Sequence, residues 1–290
     1  MKSKKAFSLI ELAIVILVVG ILIAGIFQGR DLVSKMRLQT ARSLTKSSPV
    51  NSIKDLTLWL ETTSVNSFDL AIDASDSNSN SVGTWYDISP YSIKYNSTAP
   101  ATTNKPKLTN NAIKGLPALL FDGTNDILNN TTLFTATNIS AFVVATNDDV
   151  NGYRRIISGY VDQCYYLGLS NGSNQFTAFY GNITAWVNLN ATFSGSAPMS
   201  KIPKVYSATM SGSTSSGYIN GTSVGTSTQS PGKTPCLAGY SVGSFASSIT
   251  SQPWKGYIAE IILINRAVTT EERRSIENYL GQKWGIQINN

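Results

Sequence analysis

The sequence predicts one membrane-spanning α-helix, followed by an all-β sandwich with a short helix at its C-terminus. Three observations predict this order. Residues 12–27 are all apolar or glycine, residues 56–264 alternate short β-prone runs with turns rich in Ser, Asn, Gly and Thr, and residues 269–284 return to a helical period. A chain of 290 residues is long enough for one sizeable β domain and an appendage.

The N-terminal segment has the length of a membrane-spanning helix. Lys2, Lys4 and Lys5 precede an apolar segment that runs from Phe7 to Phe27. At about 1.5 Å per residue this segment covers about 32 Å, which is enough for a hydrocarbon core of about 30 Å. The basic flank keeps the leader in the cytoplasm and directs the remainder of the chain outward.

Glu11 is unusual at this position, because a carboxylate within an apolar span costs about 2.5–3.5 kcal/mol unless it is paired. Two interpretations are open. Glu11 is a functional carboxylate within the span, or a signal anchor begins after it and leaves it at the membrane interface. After Arg30 the pattern becomes amphipathic, and Ser47-Ser48-Pro49 predicts the end of the helix.

The stretch Lys4-Lys5-Ala6-Phe7-Ser8-Leu9-Ile10-Glu11-Leu12 resembles the processing motif of type IV prepilins and of the pseudopilins of type II secretion systems. The resemblance implies cleavage by a prepilin peptidase between Ala6, where the family usually has Gly, and Phe7. It also implies methylation of the new Phe7 amine and an assembly role for Glu11. A positive amine on Phe7 of one subunit can pair with Glu11 of its neighbour, which neutralises two charges in an apolar filament core.

This resemblance divides the chain into a leader of residues 1–6, a pilin-type helix of residues 7–46, a linker of residues 47–54 and a head of residues 55–290. It implies a precursor in the bacterial inner membrane, and then a subunit of a periplasmic or cell-surface filament that contacts other pilin subunits. Two kinds of filament remain open, a pilus and the pseudopilus of a secretion machine.

Charge and composition exclude several functions for the head. Residues 1–53 carry the whole formal net charge of +6, so the remainder is neutral and we expect no nucleic-acid partner. The chain has no histidine, which excludes a histidine base, a Ser-His or Cys-His nucleophile and an imidazole metal ligand. Cys164 and Cys236 are compatible with one disulfide in an exported head, or with two separate buried thiols.

Eight runs in the head predict β-strands: residues 56–60, 116–121, 139–145, 154–160, 165–169, 175–180, 204–210 and 257–264. Asn220-Gly221 lies between two β-prone stretches and predicts a tight hairpin, because both central positions favour a positive φ. Thr269 and Glu272 have the spacing of a capping box, and an apolar helical face follows them.

Several landmarks in the head resemble, by their order, those of laminin G-like, concanavalin A-like jelly-roll domains. They are Leu58-Trp59-Leu60, Trp85-Tyr86-Asp87, Phe121-Asp122-Gly123, Tyr218-Ile219-Asn220-Gly221 and Gly256-Tyr257-Ile258. The resemblance implies a jelly-roll sandwich. Domains of this family bind glycans or proteins, hold calcium or, in some relatives, hydrolyse polysaccharides, so the fold does not settle the function.

Few residues of the head suggest a ligand site. Asp122, Asn125 and Asp126 could supply oxygen ligands to Ca²⁺, or Asp122 and Asn125 could instead hydrogen-bond the backbone of their own turn. Calcium is the one cofactor that the sequence suggests. Trp186 is a candidate aromatic for binding a ligand. Four other tryptophans could stack on sugars, but we predict that they lie in the core: Trp59, Trp85, Trp254 and Trp284.

A glycan hydrolase needs two carboxylates that face each other across a cleft, about 5–5.5 Å or about 6.5–9.5 Å apart. The head offers Glu61, three glutamates on the C-terminal helix, and Glu260, which we predict to be alone in its strand. We therefore predict that the head is not an enzyme. The functions to be weighed are a minor or specialised pilin with a lectin-like head that binds a surface glycan or protein, a structural pseudopilin, and a membrane-tethered glycan hydrolase.

Overall fold

The computed structural model describes residues 9–68, 80–136, 138–148, 154–159, 165–169, 176–180, 202–211, 214–227, 236–245, 250 and 252–289. Helix α1 (Leu9–Lys46) is continuous over 38 residues and covers about 57 Å. The described chain has one stretch of helix, Leu9–Ile26, whose length and apolar composition suffice to cross a membrane, and none of its residues is buried.

Helix α1 ends at Lys46, as the Ser47-Ser48-Pro49 sequence predicts. A short 3-10 helix (Pro49–Ser52) follows it. The side-chain amide of Asn51 donates hydrogen bonds to the carbonyl oxygens of Thr45 and Lys46, both at 3.0 Å. These carbonyls have no partner within the last turn of a helix, so Asn51 caps α1 where the chain turns into the head.

The described head contains strands β1 to β15 and helix α2. The strands are, in chain order, Leu56–Glu61, Thr84–Trp85, Ser97–Thr98, Lys107–Ile113, Leu116–Asp122, Leu128–Ala136, Ile139–Ala145, Arg154–Gly159, Tyr165–Leu169, Phe176–Tyr180, Lys204–Ser211, Thr214–Ile219, Thr222–Ser227, Cys236–Val242 and Lys255–Ile264. Helix α2 spans Thr270–Trp284. The eight predicted strands are all present, and each of their ends is within two residues of the prediction.

The strands form two sheets in which every pairing is antiparallel. The larger sheet has the order β13, β12, β11, β7, β15, β5, β4, and β1 also pairs with the long strand β15. The smaller sheet has the order β10, β9, β8, β14, β6, β3, β2. The N-terminal helix, the jelly-roll-like sandwich and the C-terminal helix confirm the predicted fold class.

Two hydrophobic cores lie on opposite faces of the larger sheet. The inter-sheet core fills the sandwich and includes Leu58, Trp85 and Tyr240. The helix-side core lies between the outer face of the larger sheet and the two helices, and it includes Ala41 of α1 and Trp284 of α2. Because both faces of the sheet are covered, β15 is apolar at almost every position.

Two local signals in the sequence are confirmed in detail. Asn220 and Gly221 have φ angles of 50° and 83° and form the tight turn between β12 and β13. At the start of α2, the Glu272 amide donates to Thr269 Oγ1 at 3.2 Å, and the Thr269 amide donates to Glu272 Oε2 at 2.9 Å. This reciprocal pair is the predicted capping box.

Candidate functional site

The first candidate site is the assembly segment, which we define as residues 9–26 of α1. Its large apolar side chains are exposed, with 87% exposure at Leu9, and Glu11 lies in its first described turn. An apolar surface of this extent needs lipid or other protein to cover it. The predicted cleavage residues, Ala6 and Phe7, lie outside the described residues.

The last turns of α1 pack against the head. Three polar contacts join them: Arg37 Nη1 to the Lys114 carbonyl oxygen at 3.3 Å, Arg42 Nε to the Thr63 carbonyl oxygen at 2.8 Å, and Thr45 Oγ1 to the Tyr279 hydroxyl at 3.5 Å. Ala41 lies between these contacts and is only 1% exposed. Helix α1 therefore connects the assembly segment to the head without a break.

A buried charge cluster of Glu61, Glu260 and Lys283 lies under these contacts, in the helix-side core. Glu61 and Glu260 are direct partners across β1 and β15. The ammonium of Lys283 lies 2.9 Å from Oε2 of Glu61 and 2.8 Å from Oε2 of Glu260, and all three side chains are fully buried. Like charges directly opposite each other destabilise a sheet, so the positive charge of Lys283 offsets the repulsion between these two carboxylates.

Glu260 is the best-satisfied carboxylate of the cluster. Oε1 accepts hydrogen bonds from Trp59 Nε1 and the Tyr279 hydroxyl, and Oε2 accepts from Trp284 Nε1, all at 2.8 Å. Burial alone lowers the pKa of Lys283, but attraction to Glu260 and Glu61 outweighs it, so the pKa is raised above its ordinary value. Glu260 is the only carboxylate of its own strand, as predicted, but strand pairing places Glu61 of β1 directly beside it.

Two of the three carboxylates of α2 form ion pairs with arginines. Glu277 pairs with Arg273 and accepts a hydrogen bond from Ser207. Glu272 receives two hydrogen bonds from the guanidinium of Arg266, at 2.7 and 2.6 Å. These ion pairs stabilise the helix and its junction with β15.

The turn after β5 contains the residues that sequence analysis considered for calcium. Asp122 Oδ1 accepts hydrogen bonds from the amides of Thr124 at 2.7 Å and Asn125 at 3.3 Å, and Asp126 Oδ2 accepts from the Asp122 amide at 2.8 Å. The Asn125 side chain donates to the Thr103 carbonyl at 3.0 Å. Asp122 thus caps the backbone of its own turn, whereas Asn125 reaches a neighbouring loop.

Burial raises the pKa of Asp126 to about 7, from 3.8. The nearby Asp122 charge acts in the same direction, and the backbone hydrogen bond opposes it. Within the described part of the chain, no group of three or more His, Cys, Asp or Glu residues is arranged to hold a metal ion. Within the described residues, calcium binding at this turn is therefore supported only by the oxygen atoms of Asp122, Asn125 and Asp126.

The predictions for the tryptophans and cysteines have different outcomes, because only some of these residues lie in the described part of the chain. Trp59, Trp85, Trp254 and Trp284 are all at most 1% exposed, which confirms that they lie in the core. Trp186 and Cys164 lie outside the described residues, and of Cys236 only the backbone, at the start of β14, is described. Trp186 stays a candidate for ligand binding, and the two alternatives for the cysteines, one disulfide or two separate buried thiols, both stay open.

The profile of the prokaryotic N-terminal methylation motif matches residues 1–27. This match confirms the predicted prepilin motif. Together with the apolar helix it supports a membrane-anchored, type IV pilin-like or pseudopilin-like precursor. The match ends before the head begins, so it gives no information about the head, which is compared with known proteins by its fold.

Two solved structures are similar to the chain in fold. Trypanosoma rangeli sialidase in complex with sialic acid has a TM-score of 0.52 and 14% identity, over 82% of this chain and 34% of that one. An arabinofuranosidase complexed with arabinofuranosyl-alpha-1,2-xylobiose has a TM-score of 0.52 and 10% identity, over 74% of this chain and 53% of that one.

At these identities the likeness shows the β-sandwich fold alone. The chain spans about a third of the length of the sialidase and about half of the arabinofuranosidase. No curated protein sequence matches the chain.

Proposed function

We propose that the chain is a minor or specialised type IV pilin-like subunit. A prepilin peptidase removes residues 1–6, the new N-terminus at Phe7 is methylated, and the subunit passes from the inner membrane into a periplasmic or cell-surface filament. One observation carries the proposal. The methylation motif of residues 1–27 leads into an exposed apolar helix that continues without a break into a folded head.

Assembly would proceed through the segment that the single chain leaves uncovered. Removal of the leader creates a positive amine on Phe7, four positions before Glu11. Pairing of this amine with Glu11 of a neighbouring subunit would neutralise two charges that are each costly in an apolar filament core. The remaining apolar side chains of residues 9–26 would pack against the same segment of other pilin subunits.

We further propose that the head is a laminin G-like, concanavalin A-like jelly roll that binds a surface glycan or protein and does not catalyse. The two-sheet fold of the head supports binding, because it forms a stable frame for surface loops.

The state of the glutamates supports the absence of catalysis. Glu61 and Glu260, which strand pairing brings together, are fully buried and share Lys283, so substrate cannot reach them. Glu272 and Glu277 are held in ion pairs with arginines. Hydrolysis of a glycan by Glu61 and Glu260 would require the helix-side core to open.

The proposal is tested on filaments sheared from cells. We expect intact-mass and N-terminal analysis to find a chain that begins at Phe7 and carries one added methyl group. Glu11→Ala should abolish incorporation, whereas Lys35→Ala, on an exposed position of α1 beyond the assembly segment, should leave incorporation unchanged. Normal filament incorporation of Glu11→Ala would contradict the assembly mechanism. Loss of protein secretion without loss of adhesion, on deletion, would instead identify a pseudopilin.

A further inference from the structure

A groove of about 310 Å³ opens on the surface of the head beside the start of β1. Its lining combines aromatic and apolar side chains with polar ones: Asp55, Thr57, Tyr91, Ile93, Tyr95 and Asn265. The volume is at the lower end of the range of about 300–1,000 Å³ that small-ligand sites occupy. None of these residues takes part in the assembly segment or the buried charge cluster.

The loop that forms one wall of this groove is held rigidly by Asp87, which is 5% exposed. Asp87 Oδ1 accepts hydrogen bonds from the amides of Trp59 at 3.0 Å and Ser89 at 2.9 Å. Asp87 Oδ2 accepts from the Ser89 hydroxyl at 3.0 Å and the Tyr95 amide at 3.1 Å. One carboxylate therefore fixes both ends of the loop, so little conformational entropy would be lost when a ligand binds.

The loop uses this rigidity to present apolar side chains to water. Tyr91 is 45% exposed, although its hydroxyl donates a hydrogen bond to the Ile53 carbonyl at 3.2 Å and so fixes the ring. Ile93 is 63% exposed. Neither side chain belongs to either hydrophobic core. Fixed and exposed apolar groups beside a groove are typical of a binding surface.

The opposite wall supplies polar groups. The Asp55 side chain is 44% exposed and lies 3.7 Å from Arg266, and Asn265 and Thr57 lie next to it in the groove. A sugar ring has an apolar face that stacks on an aromatic ring and hydroxyl edges that donate to carboxylate and amide oxygens. Arg266 is shared between Asp55 and Glu272, so these three groups keep one net negative charge, which disfavours a negatively charged sugar.

We propose that this groove binds a neutral oligosaccharide. A sugar ring stacks on Tyr91, Ile93 extends the apolar wall, and Asp55 accepts hydrogen bonds from its hydroxyls. The proposal rests on the proposed function of the head as a binding domain, and it assigns that function to a place and a class of ligand.

The position of the groove agrees with display on a filament. Along α1, Arg37 contacts Lys114 and, further from the membrane span, Arg42 contacts Thr63. Strand β1 begins at Leu56, after the end of α1, and runs back towards Thr63 beside Arg42. The groove at the start of β1 follows the end of α1 along the chain and shares no residue with the assembly segment.

The test uses the full chain in detergent and an array of immobilised xylo-, arabino-, manno- and cello-oligosaccharides, with sialyllactose as the acidic probe. We expect binding to at least one neutral oligosaccharide and none to sialyllactose. Tyr91→Ala should weaken binding about tenfold or more through loss of stacking. Tyr91→Phe keeps the ring and should stay within about threefold of the original protein.

Two further variants make the test independent of folding defects. Ile93→Arg changes an exposed side chain, so it should leave the melting temperature unchanged and still block the groove. Ile202→Ala, at a residue with 57% exposure outside the groove, is the matched control and should bind normally.

The possible failures are distinguishable. Normal glycan binding by both Tyr91→Ala and Ile93→Arg would overturn the site and leave the head a binding domain. Binding to no neutral oligosaccharide, or to sialyllactose alone, would overturn the class of ligand, while a methylated Phe7 in filaments would still support the pilin assignment. Loss of filament incorporation by Ile93→Arg, with unchanged glycan binding, would identify the groove as a contact between subunits and overturn the proposal.

Discussion

Glu61 and Glu260 face each other across β1 and β15 with their carboxylates in the same buried space, 2.9 Å and 2.8 Å from the ammonium of Lys283. The three residues come from the first strand, the last strand and the C-terminal helix of the head. The attraction of Lys283 to both carboxylates therefore fixes how α2 lies on the larger sheet. Tyr279, which donates to Glu260, also lies 3.5 Å from Thr45 of α1, so the N-terminal helix is positioned by the same cluster.

Lys283→Met is expected to destabilise the head strongly. It would leave two buried carboxylates side by side without a cation, a loss of about 3–5 kcal/mol in the free energy of unfolding. The measurement is chemical unfolding of the full chain in detergent. Lys54→Met, at an exposed lysine, is the matched control and should change stability by less than about 0.5 kcal/mol. Equal effects of the two substitutions would show that the cluster does not stabilise the fold.

The two carboxylates are expected to differ when each is replaced by glutamine. Glu260 accepts bonds from four donors, and an amide group would turn its nitrogen, itself a donor, towards some of them. Oε1 of Glu61 has no hydrogen-bond partner among the described residues, so Glu61→Gln loses less. We expect Glu260→Gln to cost about 3 kcal/mol and Glu61→Gln about 1 kcal/mol. The reverse order in unfolding measurements would refute this assignment.

Asp126 is expected to make stability depend on pH. Its pKa is 3.8 in the unfolded chain and about 7 in the folded head, so the folded state holds a proton that the unfolded state has released between these values. Its stabilising contribution is fully present below about pH 4 and is lost as the pH rises through 7. Between pH 5 and pH 8, the free energy of unfolding of the original protein should fall by about 1–3 kcal/mol more than that of Asp126→Asn. Parallel pH profiles would contradict the raised pKa.

The Asn220 side chain contributes to stability in two ways, by tolerating a positive φ and by accepting a hydrogen bond, and Asn220→Ala removes both. Asn220 has a φ of 50°, and its Oδ1 accepts a hydrogen bond from the Val205 amide at 2.8 Å. Alanine would be strained at this φ and would leave the buried Val205 amide without that acceptor, at a total cost of about 2–4 kcal/mol. Asn111 has a similar φ of 57° and is exposed, so Asn111→Ala should show the backbone cost alone, about 1 kcal/mol. Equal losses would assign the whole effect to the backbone.

The sequence predicts best where structure is decided locally. Strand β7 (Ile139–Ala145) is apolar at every position except Ser140, and the sequence predicts both of its ends correctly. The turn at Asn220-Gly221 and the capping box at Thr269 each depend on residues no more than three positions apart. In each case the conformation follows from neighbours along the chain, so no knowledge of the fold is needed.

The sequence predicts less where strand pairing decides the outcome. Strand β4 (Lys107–Ile113) is polar and largely exposed, and its pairing with β5 rather than its own composition makes it a strand. The meeting of Glu61 and Glu260 depends on the register between the first and last strands, which neither local sequence encodes. The groove beside Tyr91 escaped prediction for the same reason, since Asp55 and Asn265 approach it from distant parts of the chain.

The burial of Ala41 among residues of the sheet and α2 has a practical consequence for anyone who wishes to prepare the head in water without detergent. A cut at the predicted start of the head would remove Arg37, Arg42 and Ala41 and open the helix-side core to solvent. A cut between Ile26 and Arg37 would discard the membrane-spanning stretch and keep these contacts. The boundary between the apolar stretch and the part of the chain that packs with the head therefore lies inside a single helix.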